Sequence, residues 1–273
     1  MPTGVVYDPV YLEHDLRGHP ENQQRLKSIV RVLQEQGMWQ RLAPIEPAPA
    51  SPERLYRAHE PHYVEQVQSL AARGGGHLDM ATYVCDGSYD AALMAAGGLV
   101  EATRAVLDGE VDNAFALVRP PGHHALRSRG MGFCLFNNVA VAAHYALAER
   151  NLDRVLIFDF DVHHGNGTEE MFAGDARVLM CGIFQHPFFP FSGTQGAANM
   201  LNVPLERGAG SAEFRAVVEK QWLPRLEDFK PQLILISAGF DAHREDSIGG
   251  MELADEDYAW CTGQIKKLAQ HHA

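Results

Sequence analysis

Runs of consecutive apolar residues recur along the chain at Ala114–Val118, Arg154–Phe160, Arg177–Ile183 and Leu233–Ser237. Their apolar positions do not alternate with polar ones, which predicts strands buried on both faces, as in a parallel sheet. Between them lie helical patterns, over Asp90–Leu107, Asn138–Glu149, Ser211–Leu226 and Asp255–Ala269. Strand–helix alternation predicts an α/β fold, with a central, mostly parallel sheet and helices on both faces. The Pro-rich stretch Ala43–Pro52 reads as a loop between two helices, and Gly74–Gly76 as another loop. That glycine run follows no clear strand and carries no Lys-Ser/Thr, so it does not read as a phosphate cradle. With no repeat, low-complexity tract or composition shift, residues 1–273 are expected to form one domain.

Charge narrows the function classes. Lys+Arg total 23 against Asp+Glu 35, a formal net charge of −12. That excludes a basic footprint for direct nucleic-acid binding and electrostatic docking on an anionic membrane, while tolerating a cationic substrate. The longest apolar runs, such as Leu233–Phe240, are far short of the ~20 residues a membrane span needs. The start shows no basic region followed by an apolar stretch, so no signal peptide is read. The four cysteines, Cys85, Cys134, Cys181 and Cys261, form no close pair and read as reduced thiols. A soluble, cytoplasmic protein is expected.

Ligand sites in parallel sheets form beyond the carboxyl ends of strands. Here those ends deliver Arg119-Pro-Pro-Gly-His123-His124, then Asp159-Phe-Asp161-Val-His163-His164-Gly-Asn166-Gly, then Gly239-Phe-Asp241-Ala-His243. On an extended segment Asp159, Asp161 and His163 share a face, and Phe160 and Val162 point into the helix layer. Asp161 and His163, two apart, suit chelation of one metal, with Asp241 as the third ligand. Three protein ligands and an open position are the pattern of a catalytic zinc. An Asp2His donor set also accepts Fe(II), Mn(II) or Co(II). Taken singly, Asp241 reads equally as a helix N-cap, and His123-His124 equally as a structural pair. His14, His19, His59 and His62 lack ligand spacing. His243 reads as solvent-facing or behind a ligand, His271-His272 as solvated, and Cys134 has no nucleophile signature.

Five motifs together resemble the histone deacetylase-like amidohydrolases of the arginase/deacetylase fold, in their class II branch. They are His19-Pro-Glu-x-x-x-Arg25-Leu26, Arg119-Pro-Pro-Gly-His-His124, Gly132-Phe-Cys-x-x-Asn137-Asn138, Asp159-x-Asp-x-His-His-Gly-Asn-Gly-Thr168 and Ser237-Ala-Gly-Phe-Asp241-Ala. The resemblance implies one zinc per chain on Asp161, His163 and Asp241, with Fe(II) as the other metal to consider. It implies His124 as general base and His123 as its partner, hydrogen-bonded to Asp159. Asn166 matches the group behind His124, and as an amide leaves that imidazole less cationic than a carboxylate would. Phe133, beside Gly132, and Phe189 match the aromatics walling an acyl-lysine channel, and Ile248 an apolar residue at its rim. Asp159 and main chain near Asp161, His163 and Ile183 match a structural potassium site. Gly182-Ile183-Phe184 stands where the family usually has Ser-x-His, which removes a hydroxyl from that site.

The family also carries a tyrosine in a Gly-Gly-Tyr loop after one more strand. The sequence reaches Ala273 without it, so the expectation is a chain lacking its C-terminal strand and helix. The implied function is hydrolysis of the amide of N-acetyl-lysine, or a related acylated amine, by metal-activated water. The alternatives are an acetylpolyamine amidohydrolase and a weakly active acyl-lysine binding module. Ile248, where a carboxylate would recognise a second ammonium, weighs against strict polyamine preference. Gly165 and His243 occupy the places where a binuclear, arginase-like site would need further carboxylates. The expected partners are an acetylated lysine peptide or an acetylated polyamine; oligomer formation stays open.

Overall fold

The computed structural model describes residues 2–272. The chain divides into two compact units, Met1–Tyr145 and Ala146–Ala273. The first unit contains β1 (Thr3–Val6), β2 (Ala43–Ile45), β3 (Gly76–His77), β4 (Tyr83–Val84) and β5 (Asn113–Ala116). Strand β1 lies between β2 and β5, parallel to both, and β3 and β4 pair in antiparallel fashion. The helices are α1 (Gln24–Glu35), α2 (Pro52–Ala58), α3 (Pro61–Ala72) and α4 (Ser88–Leu107), and α5 (Asn138–Ala148) runs across the division. Ser51 starts α2 by accepting the Arg54 N–H, and Pro52 and Pro61 occupy first-turn positions where a missing N–H costs nothing. Gly97 lets α4 lie against the 48–50 segment, since a Cβ there would overlap the Ala48 carbonyl oxygen.

Two expectations need adjustment in this unit. The stretch Ala43–Pro52 begins as the edge strand β2 before it becomes a loop. Strand β5 is also at an edge, and its exposure alternates instead of vanishing on both faces.

The second unit holds β6 (Val155–Asp159), β7 (Val178–Gln185), β8 (Met200–Leu205) and β9 (Leu233–Ser237) in the order β8-β7-β6-β9, all parallel. Every residue of β6 and β7 is buried, as their unbroken apolar runs predict. The helices are α6 (Asn166–Phe172), α7 (Ser211–Val217), α8 (Leu223–Phe229) and α9 (Asp255–His272). Ser211–Leu226 is helical throughout, but a π-turn at Val218–Trp222 separates α7 from α8. Pro224 lacks the N–H an uninterrupted α ladder would use, and Trp222 is fully buried beside Phe158, 5.1 Å between rings. Phe160 and Val162 enter the same core, which places them opposite the partly exposed Asp161 and His163. No described helix is long and apolar enough to cross a membrane.

Candidate metal centre and active-site residues

In the second unit, strand β6 ends at Asp159 and the next six residues lead into α6. Asp159 is buried, and its Oδ1 accepts the Asp161 N–H at 3.2 Å. Asp161 Oδ1 accepts the His163 N–H at 2.8 Å, which folds the donor residues onto one side. Asp241 arrives beyond the end of β9. Its Oδ1 accepts the Val162 N–H at 2.9 Å, leaving Oδ2 3.1 Å from His163 Nδ1. His163 Nδ1 also lies 2.9 Å from Asp161 Oδ1. One donor atom from each of these residues falls within 4.8 Å of the others. Phe188 stacks on the His163 ring at 5.1 Å and Phe189 meets it edge-on at 6.0 Å.

The electrostatics of this cluster suit a cation. Burial, and then the charge of Asp161, push the Asp241 carboxyl above its ordinary pKa, against the pull of His163. Burial alone would lower the His163 imidazole, but hydrogen bonds to Asp161 and Asp241 outweigh it and raise the pKa to about 10. One imidazole nitrogen and two carboxylate oxygens are the donor chemistry of a divalent transition ion, and such an ion would relieve the same repulsion. The backbone leaves room for these side chains. A Cβ at Gly239 would overlap the Asp161 carboxylate, and one at Gly165 would overlap that of Asp159. The residues present fit a metal.

Asn166 opens α6, and Ile248 stands on an exposed loop with its N–H given to Asp246 Oδ1 at 2.7 Å. His243 is neither a donor to the cluster nor simply solvated: it pairs with Asp255 at 3.3 Å. His272 is likewise held, 2.8 Å from Glu227, and with His271 these residues make a second, surface group of donor side chains. His164, adjacent to a predicted ligand, points elsewhere. Its ring nitrogens lie 2.8 Å from Ser192 Oγ and 2.8 Å from Glu169 Oε2.

In the first unit His123 and His124 are buried, with ring centroids 3.9 Å apart. The segment that carries them is fastened on its N-terminal side. Arg119 forms a buried ion pair with Glu21, and Asn138 Nδ2 donates to the Pro120 carbonyl at 3.1 Å. Beyond His124, residues 131–134 make a tight turn in which Gly132 and Phe133 both have positive φ, 57° and 70°. Both angles positive is the I′ turn geometry. A Cβ at Gly132 would overlap the His124 ring, and Phe133 meets His19 edge-on at 4.7 Å. Cys134 is buried, and no cysteine forms a disulfide among the described residues.

Glu21 and Arg119 both lie inside sequence motifs, and their residue types alone assign neither a role. Their pairing across 98 positions leaves no local signal. Burial by itself would raise the Glu21 carboxyl, but the hydrogen bonds and charge of Arg119 hold it below the ordinary value.

The profile of the histone deacetylase domain matches residues 19–273. A histone deacetylase-like amidohydrolase of Pseudomonas aeruginosa is 40% identical over 93% of this chain and 68% of its own. A probable deacetylase of Archaeoglobus fulgidus is 37% identical, over 100% of this chain and 78% of its own. Among solved structures, the HDA15 HD domain superposes with a TM-score of 0.95 at 34% identity, covering 99% of this chain and 82% of that one. With the motifs, the mostly parallel sheets and the donor cluster, these likenesses place the chain in the histone deacetylase family.

Proposed function

We propose that the chain is a single deacetylase domain that uses zinc to hydrolyse the amide of N-acetyl-lysine or a closely related acylated amine. The observation that carries the reading is the convergence of Asp161, His163 and Asp241 donors within 4.8 Å of one another. These three side chains would hold the ion; Fe(II) is the other candidate for the same donors. When bound, such an ion would supply Lewis-acid polarisation of the acyl carbonyl and lower the pKa of water to about 7.

The chain's own residues supply the rest. His124 accepts the proton of the attacking water and returns one to the leaving amine. His123, with Asp159, supports the charge on that histidine, and Asn166 tempers it because an amide carries none. Phe133 and Phe189 wall the acyl-lysine channel, Gly132 keeps the Phe133 turn close to His124, and Ile248 forms an apolar rim. Asp159, with main chain near Asp161, His163 and Ile183, is the proposed seat of a structural potassium ion.

The test loads purified protein with Zn(II) or Fe(II) and measures turnover of an acetyl-lysine peptide and of acetylputrescine. The expected result is metal-dependent release of acetate, faster from the peptide. A clear preference for acetylputrescine favours the polyamine reading. Binding of the peptide with no turnover under any metal overturns the enzymatic reading in favour of an acyl-lysine binding module.

A further inference from the structure

Glu21 and Arg119 are both almost wholly buried, at 1% and 2% side-chain exposure. Arg119 Nη2 donates to Glu21 Oε2 at 2.7 Å while its Nε donates to Oε1, a two-point pairing. The same guanidinium donates to the Tyr11 carbonyl at 2.9 Å and the Tyr83 hydroxyl at 3.4 Å. His14 approaches the carboxylate to 3.6 Å and stacks on Tyr83 at 4.3 Å. Burying such a pair is a poor route to stability, because removing two charges from water consumes most of the attraction gained. What the pair does supply is a fixed direction for each chain that enters it.

Two of those chains lead to proposed active-site groups. Along the sequence, Arg119 opens the segment that ends at His123 and His124. Through space, the Glu21 N–H donates to His19 Nδ1 at 3.1 Å, and His19 Nε2 lies 3.0 Å from the Ala81 carbonyl. The His19 ring, held at both nitrogens, then packs edge-on against Tyr83 at 4.8 Å and Phe133 at 4.7 Å. Phe133 is tied to the same group of residues by its N–H, which donates to Thr82 Oγ1 at 3.1 Å. We infer that Glu21 and Arg119 form a positioning pair that sets the general-base segment and the Phe133 channel wall against a common anchor. The inference rests on the deacetylase reading for what is positioned, and on the first unit alone for how.

The experiment compares wild type with Glu21→Gln and with the double variant Glu21→Gln, Arg119→Met. The single variant leaves a buried guanidinium without its counter-charge and is the one at risk of not folding. The double variant removes both charges and keeps apolar volume, so it is the decisive protein. Hydrogen-exchange mass spectrometry is expected to show amides of residues 120–134 exchanging at least about tenfold faster, with α4 unchanged. Kinetics per folded molecule are expected to show kcat down about tenfold or more and KM within about threefold. Unchanged exchange at 120–134, exchange accelerated uniformly over the unit, or full kcat in the folded double variant overturns the inference. A wild-type protein without turnover sinks the deacetylase reading instead, and the exchange pattern still decides whether the pair holds the segment.

Discussion

Gly132→Ala tests the link between a backbone turn and the proposed general base. Residue 132 has φ of 57°, so any Cβ there sits in the left-handed region, at a cost of about 1–2 kcal/mol. The added methyl also meets His124: it would lie 2.8 Å from the ring Cγ and 3.1 Å from the Cβ, and closer still to Cδ2. The imidazole or the turn must therefore retreat by on the order of 1 Å, and a misplacement of that size costs about 10²-fold when it falls on a reacting group. The expected stability loss is about 1–3 kcal/mol, a drop in Tm of a few degrees for a chain of this length. The assay is kcat for an acetyl-lysine peptide with metal-loaded protein, normalised to folded fraction by calorimetry. An alanine variant with kcat within about threefold of wild type would show that the turn does not place His124, and the reasoning would fail.

Other outcomes follow from the same geometry. Gly239→Ala pushes a methyl into the Asp161 carboxylate, and metal affinity measured by chelator competition is expected to fall about 10–100-fold. His14 and His59 are buried, and burial above all lowers their pKa values to about 4 from the ordinary 6.5. The unfolded chain then takes up these protons first. Stability is full above pH 6.5 and is lost progressively down to pH 4, by up to about 3 kcal/mol per histidine. Urea titrations at pH 7 and 4.5 that gave equal stabilities for wild type would contradict this, as would a His59→Gln variant that keeps the full pH dependence. Burial pushes the Cys181 and Cys261 thiols up and encloses Cys134, whereas Cys85 is only partly covered. One thiol is expected to react quickly with maleimide in the native protein and all four after unfolding; two fast native thiols would contradict the burial pattern.

How much of this was legible in the sequence depends on where each constraint lies along the chain. Strands β6 and β7 were readable because burial on both faces leaves an unbroken apolar run. Strands β1, β2 and β8 were not, being short or at sheet edges, with Pro44 and Pro204 tolerated there. The donor set was readable because period-two alternation at a strand end sends Phe160 and Val162 into the core and leaves Asp161 and His163 outside it. The Glu21–Arg119 pair was not, since partners 98 positions apart share no periodicity. His164 shows the same limit at short range. It directly follows His163 of the donor cluster, yet it is held by Ser192 and Glu169 instead of joining it.

The glycines near the donors carry the least visible part of the design. In the sequence, Gly165 and Gly239 look like loop punctuation, because glycine marks turns wherever it stands. In the fold neither has a positive φ, so backbone freedom is not what these positions require. Each instead occupies the place where a Cβ would displace a carboxylate, Asp159 at one and Asp161 at the other. At Gly249 the neighbour is main chain instead: a Cβ there would overlap the carbonyl oxygen of Asp241. Alanine at Gly239 keeps all three donor side chains but removes the space that the Asp161 carboxylate occupies. Donor identity and donor placement are thus specified by different residues, and only the first can be read from side-chain chemistry along the chain. A protein of this family that kept Asp161, His163 and Asp241 but lost Gly239 would therefore match the donor pattern and still bind metal poorly.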